Sequence, residues 1–585
     1  MLLSVTNSAY RFSCATGNSL MLSFGCCVRV AGVLFTSWIA GSFMVGCGAS
    51  SAPEATPPIG PTASPTASPT ASNAAAQPTA APPAAAPPTA APPAKTPPTK
   101  MSATVPPASA LRGEVSPREV EPGIESPIET TTKTTTESAT ELPPKAGTRR
   151  PEGRKLGDLL PDEIQAEARE ARKLKHDPVS PERAAAGGLR RLVGKHLVLY
   201  TDLPSSVAID ELPQVFDLAA PQWCEYFEIP VEKIADWKMT GYLMGDVERF
   251  RAVDAIPAFL PEIANGFQWD DELWWKEQAT DYYRRHLLLH EGTHAFMNRF
   301  LGGIGPPWYG EGMAELLATH RWADGRIKLG HQPRNSEEAP GHGRIKIVRD
   351  DFKAGVGRSL EAVFQYDAKA HLEVNPYGWC WAAASFLNAH PRARASFHSA
   401  KKRARDGGPE FTRYFLNPIL ADWNQISEDW QLFVAQAEYG YDFERARVRH
   451  KESQPWTGAE VRVKIAADAG WQSTGVPLQA GVDYEIAAVG RYQIVGGEPT
   501  WWCEPQGVTI RYYRGQPLGM LLGAVRSDAF IPNSLTPLVN STPIGRKKRL
   551  TPDVAGTLYL KINESPADLT DNAGELLIRV RPLPP

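Results

Sequence analysis

The stretch Leu287-Leu288-Leu289-His290-Glu291-Gly292-Thr293-His294 sets two histidines four positions apart, with a glutamate directly after the first. Residues four apart share one face of a helix, so both imidazoles can reach a single ion. Residues 274–300 lack proline and carry apolar side chains at helical spacing, which predicts a helix around the pair. Zinc lowers the pKa of a water it binds to about 7, and Glu291 stands where its carboxylate can take the proton released. A catalytic zinc also needs a third protein ligand and an open position. The candidates follow a Gly/Pro-rich loop at 302–307, in Trp308-Tyr309-Gly310-Glu311-Gly312-Met313-Ala314-Glu315-Leu316. A helix beginning near Gly310 would present Glu311 towards the first helix.

H-E-x-x-H followed by W-x-x-E-G-x-A-E resembles the gluzincin metallopeptidases, especially their peptidase-MA-like group. The resemblance implies that His290, His294 and Glu311 hold Zn2+ and that Glu291 is the general base of peptide hydrolysis. Glu315 is the competing ligand; otherwise it orients a ligand histidine from behind. His286, one turn before His290, reads as a packing residue or a similar supporting partner, with ligation as the alternative. In gluzincins a tyrosine or histidine from a later helix often steadies the oxyanion. Pro376-Tyr377-Gly378-Trp379-Cys380-Trp381 is similar to their Y-x-x-x-W helix, which makes Tyr377 the candidate; an aromatic face packed in the core is the other reading. Cys380, with no histidine nearby in sequence, reads as a small apolar residue. Substrate strands in this class line an edge strand before the zinc helix, here near Asn265-Gly266-Phe267.

The elements that must position these groups come from alternation and spacing. His196-Leu197-Val198-Leu199-Tyr200-Thr201 predicts a strand, Val215 through Phe227 a helix, and residues 239–244 another strand. Residues 161–175 read as a charged, solvated helix. A helix-rich region extends to about Arg447, and the Lys401-Lys402-Arg403-Ala404-Arg405 run reads as a solvated helix end. Beyond Gln454 the pattern changes to short alternating runs such as Tyr484/Ile486, Val508/Ile510/Tyr512 and Leu576/Ile578/Val580, which predict an all-β domain.

Near its end the chain reads strand, acidic loop, strand. Glu564, Asp568, Asp571 and Asn572 offer oxygen donors of the kind a hard cation takes. This stretch, with Ala487-Ala488-Val489-Gly490-Arg491-Tyr492 and Pro505-Gln506-Gly507, resembles PA-IL-like bacterial galactose-binding lectins over most of residues 461–585. The resemblance implies Ca2+ held by Tyr492, Glu564, Asp568, Asp571 and Asn572, and a sugar beside it. Glu564 stands where that family has Asp, Asp568 where it has a Thr that ligates through its main chain, and Asp571 replaces the first of two Asn. Without a cation the loop reads as ordinary turn chemistry. Trp501-Trp502 read as buried aromatics, with a sugar platform as the alternative.

At the other end an apolar run, residues 30–45, ends in Met44-Val45-Gly46-Cys47, which resembles a bacterial lipoprotein signal with Cys47 lipidated; a plain signal peptide is the alternative. The run is shorter than the roughly 20 residues a spanning helix needs. The 53 prolines, about 9% of 585 residues against a usual share of about 5%, are concentrated near the N-terminus, with 22 of them in residues 51–150. Residues 51–110 are nearly all Pro, Ala, Thr and Ser and cannot bury enough apolar surface to fold. The formal charge is −3, from 62 Lys+Arg against 65 Asp+Glu, which argues against a nucleic-acid binder. The 7 cysteines include no CxxC pair, so thiolate zinc and thioredoxin chemistry are excluded.

The expected fold class is α+β: a mainly helical zincin-type catalytic domain with a small sheet, then an all-β sandwich, behind a long disordered linker. The expected divisions are a lipoprotein signal (1–47), linker (48–150), charged helical lead-in (151–190), gluzincin-like metallopeptidase domain (191–452) and lectin-like sandwich (455–585). The expected function is a zinc peptidase of the cell envelope, lipid-anchored to a membrane and facing the periplasm or exterior. Its expected partners are a peptide or protein substrate and a glycan. The rivals are a non-catalytic carbohydrate- or calcium-binding lipoprotein with a degenerate zincin domain, and a zinc hydrolase acting on another amide.

Overall fold

The computed structural model describes residues 175–584, apart from 261, 368, 371, 372 and 529–533. The signal, Cys47, the linker and all of the 161–175 helix except Lys175 lie outside the described residues. Within 175–190 the described helix is the short Pro181–Ala186. No described helix is long and apolar enough to cross a membrane.

A five-stranded sheet underlies the site. Its strands are β1 (Arg190–Val193), β2 (Leu197–Thr201), β3 (Met239–Met244), β4 (Gly266–Trp269) and β5 (Glu272–Lys276), in the order β1-β2-β3-β5-β4. β2, β3 and β5 run parallel, while β1 and β4 lie antiparallel at the two edges. Strands covered on both faces read as apolar runs, and β3 and β5 are buried along most of their length. Helix α1 (Leu212–Phe227) joins β2 towards β3 and buries Leu212, Val215, Phe216, Ala219, Trp223 and Phe227, a stripe at helical spacing.

Helix α2 (Asp281–Phe296) carries the two histidines. It starts later than its apolar spacing predicts: Trp274 and Trp275 lie in β5, paired to β3 and β4. Thr280 ends the intervening turn and caps the helix, its hydroxyl accepting from the Tyr283 N–H at 3.1 Å. After Phe296 the chain makes one wider turn, Met297–Leu301, and stops at Gly302 in the left-handed conformation. Helix α3 (Pro307–Ala318) then begins with proline at its first position, where no N–H is missed. It packs against α2 and against a later helix, α5 (Val374–Ala389); between them runs α4 (Arg344–Lys353). The α3–α5 crossing depends on Gly312, where a Cβ would sit 2.9 Å from the Cys380 carbonyl oxygen and 3.0 Å from Ala384 Cβ. The Glu311 turn can therefore lie directly on α5.

The C-terminal part is all β, as its alternation predicts. One four-stranded antiparallel sheet runs Lys547–Leu550, Tyr484–Val489, Glu575–Pro582, Val461–Ala466; another runs Thr542–Pro543, Leu521–Arg526, Gly556–Ile562, Gln472–Leu478. They share a core of Ile465, Leu478, Ile486, Leu521, Leu558, Leu560, Leu576 and Ile578. The other face of the second sheet is also covered: Leu522, Ala524 and Tyr559 pack with Leu432 of helix α6 (Trp423–Ala435). Glu428 of α6 accepts two hydrogen bonds from Arg526 Nε, at 2.8 and 2.9 Å. The described residues all fall within one compact unit. Two surface expectations change. Lys401 is buried against Glu228 at 3.1 Å, and Trp502 is half exposed with Arg491 5.3 Å over its ring.

Candidate metal centre

His290 and His294 sit one turn apart on the face of α2 that meets α3, and both are more than nine-tenths buried. Their Nε2 atoms are 3.2 Å apart. Glu311 Oε2 lies 3.3 Å from His290 Nε2 and 3.4 Å from His294 Nε2. Three donors bound tetrahedrally at about 2.0–2.1 Å stand about 3.3 Å from one another, so this nearly equilateral triangle has the size zinc requires. Glu311 Oε2 is buried and faces only the two imidazole nitrogens, an arrangement that fits a shared cation. Burial pushes the Glu311 carboxyl up, but the two histidines beside it hold it well below the usual carboxylate range. His290, His294 and Glu311, proposed together from spacing and resemblance, are thus brought together.

Glu315 lies behind the triangle. Its Oε1 is 3.4 Å from His290 Nδ1, on the far side of the ring from Glu311. That is the placement of a carboxylate that orients a ligand histidine. His286 Nε2 lies 3.3 Å from Glu315 Oε2, and its Nδ1 is 3.1 Å from the Ala318 carbonyl. His286 therefore faces Glu315, away from the Glu311 triangle. A second group of three donors, His286, His290 and Glu315, does close around this point and shares His290. Sequence spacing gave no sign of the cation that pairs with Glu315 here. Arg344, the first residue of α4, donates from Nε to Glu315 Oε2 at 2.9 Å and from Nη2 to Oε1 at 2.7 Å. His342 is also drawn in, with Nε2 3.8 Å from Glu315 Oε2.

Glu291 is buried on the side of α2 that meets the edge strand β4. Burial pushes its carboxyl above the ordinary range, against the pull of His290 and His294. A Cβ at Gly266 would come 2.4 Å from Glu291 Oε1, so glycine in β4 leaves the carboxylate its present place. The other edge of β4 has no strand partner among the described residues. Tyr377, near the start of α5, sets its ring 6.0 Å from that of His290, at a steep angle, with the Arg344 guanidinium 5.7 Å away. Burial, then the nearby Glu311 and Glu291 carboxylates, push its phenol up, so it stays protonated as a donor. Cys380 is fully buried, and its thiol is pushed up by that burial, which leaves it unsuited to act as a nucleophile.

The acidic loop of the β part is arranged less tightly. Glu564 is buried; its Oε1 accepts from the Ser565 N–H at 3.1 Å while Oε2 has no partner. Asn572 donates to the Ala467 carbonyl at 3.1 Å, and its Oδ1 is likewise unpartnered. Asp571 is turned to the Gly496 N–H at 3.0 Å, and the Tyr492 hydroxyl donates to the carbonyls of Gly519 and Glu504. Among the described residues, Glu564, Asp568 and Asp571 do not bring three oxygens within 4.8 Å of one another.

No known protein family matches the chain, and no curated protein does. A solved structure titled "EclA N-terminal domain; PllA-like lectin" is similar over 21% of this chain and 95% of its own, at 25% identity and a TM-score of 0.16.

Proposed function

We propose that the protein is an exported, lipid-anchored zinc peptidase that hydrolyses peptide bonds with activated water. The observation that carries this reading is the triangle of His290, His294 and Glu311 donors, 3.2–3.4 Å on each side, with Glu291 beside it. The donor set, two imidazoles and one carboxylate, is that of catalytic zinc with one position left open. Zinc bound there supplies Lewis acidity to water and to the scissile carbonyl. Glu291 accepts the proton as water attacks and returns it to the leaving amine. Burial raises its affinity for protons, which suits a group that must both take and give one. Tyr377 donates a hydrogen bond to the oxyanion. The unpaired edge of β4, next to Glu291, suits an extended peptide, which can add to a sheet edge through main-chain hydrogen bonds. A purely structural zinc site has no use for a buried general base, which weighs against the non-catalytic alternative.

Chelation is the test. Zinc content and cleavage of an unstructured protein substrate are expected to fall together when zinc is stripped and to return together when it is restored. Cleavage that persists after the zinc is gone would exclude this mechanism.

A second reading concerns the β part: a cation-dependent glycan-binding accessory. It is favoured by the two buried, unpartnered oxygens of Glu564 and Asn572 on one loop. Burial pushes the Glu564 carboxyl from 4.5 up to about 8. The folded chain therefore keeps a proton that the unfolded chain has released, and stability falls as pH rises from about 4.5 to about 8. Ca2+ is expected to raise Tm at pH 8 and not at pH 5, and Glu564→Gln to remove both the fall and the calcium response. A Tm at pH 8 indifferent to Ca2+ in the wild-type chain would remove the cation from this reading.

A further inference from the structure

Arg344 belongs to no motif, yet it makes the tightest polar contacts around the candidate centre. It is 6% exposed and Glu315 is 1% exposed, so the ion pair is essentially dry. Both carboxylate oxygens are engaged by one planar fork, Nε on Oε2 and Nη2 on Oε1. The guanidinium lies 6.0 Å from the Tyr283 ring and 5.7 Å from that of Tyr377, and Nη2 also donates to the Tyr283 hydroxyl at 3.3 Å. A buried ion pair of this kind contributes little net stability once desolvation is counted. Its consequence lies in where it puts the carboxylate.

His290 is shared between two groups of donors. Its Nε2 faces Glu311 and His294, and its Nδ1 faces Glu315. With Glu315 bare, the His286–His290–Glu315 group would itself attract a cation, and His290 would have two competing uses. The guanidinium already supplies that positive charge, and it fixes the carboxylate plane with Oε1 towards Nδ1. We infer that Arg344 is a positioning residue for the metal centre: by clamping Glu315 it commits His290 Nε2 to the Glu311 side and withholds Glu315 from acting as a ligand. This rests on the zinc reading above.

Zinc affinity of the full chain, measured by competition with a chromophoric chelator, tests it. Arg344→Gln is expected to weaken zinc binding about 10–100-fold, the usual effect of losing a residue that supports a ligand. Arg344→Lys keeps the charge but not the fork and is expected to fall between the two. Arg526→Gln breaks another Arg–Glu pair, with Glu428, away from the centre. It is expected to lower Tm and leave zinc affinity unchanged. A folded Arg344→Gln chain that binds zinc within twofold of wild type overturns the inference. If Arg344→Gln does not fold, Arg344→Lys carries the test, and wild-type affinity there overturns it equally. A wild-type chain that binds no zinc overturns the zinc reading itself, an outcome these variants do not mimic.

Discussion

Glu291→Gln is expected to lower peptide hydrolysis by about 1,000-fold while leaving zinc content and Tm close to wild type. Glutamine keeps the volume and the packing against Gly266, where there is no room for a Cβ, so the backbone of β4 need not move. It removes only the ability to take a proton and give it back, a contribution of about 100- to 10,000-fold in acid–base catalysis. Such a loss corresponds to about 4 kcal/mol of transition-state stabilisation. In a non-catalytic binding protein the same substitution would be silent. Full activity in Glu291→Gln would show that another group moves the proton.

Glu311→Ala is expected to weaken zinc binding by more than about 100-fold, beyond the 10- to 100-fold range for a supporting residue, and to abolish activity at ordinary zinc concentrations. Glu315→Gln belongs within that lower range. The order matters because Glu315 was the competing ligand by sequence. The structure sets Glu311 Oε2 against both Nε2 atoms and Glu315 Oε1 against a single Nδ1. Zinc titration of the two variants reads the order directly, and the reverse order would transfer the third corner to Glu315.

What the sequence made legible is what helix geometry fixes locally. Four-residue spacing puts His290 and His294 on one face, and the same spacing puts Glu311 and Glu315 on the next helix, one turn apart. Two helices joined by a short Gly/Pro loop can bring these faces together, and the choice of Glu311 over Glu315 came from the resemblance to gluzincins. The edge strand at Gly266–Trp269 was expected from the same resemblance, and the structure places a strand there. Arg344 was not legible, since it meets Glu315 across 29 residues through a contact that only tertiary packing creates. Trp274 and Trp275 misled for a related reason. Their apolar character suits a helix or a strand, and pairing with β3, more than 30 residues earlier, decides it. The join between the helical and β parts was equally hidden, since Glu428 and Arg526 are 98 positions apart. Trp502 and Lys401 show the same limit on single residues: composition predicts average exposure, and packing decides the particular case.

The most direct measurement is zinc-edge X-ray absorption on the wild-type full chain at about one zinc per molecule. A shell of four light-atom ligands near 2.0 Å, two of them with the multiple-scattering signature of imidazole, is the result expected from His290, His294, Glu311 and a solvent oxygen. A sulfur ligand, a single imidazole, or zinc that binds only in substoichiometric amounts would contradict the assignment.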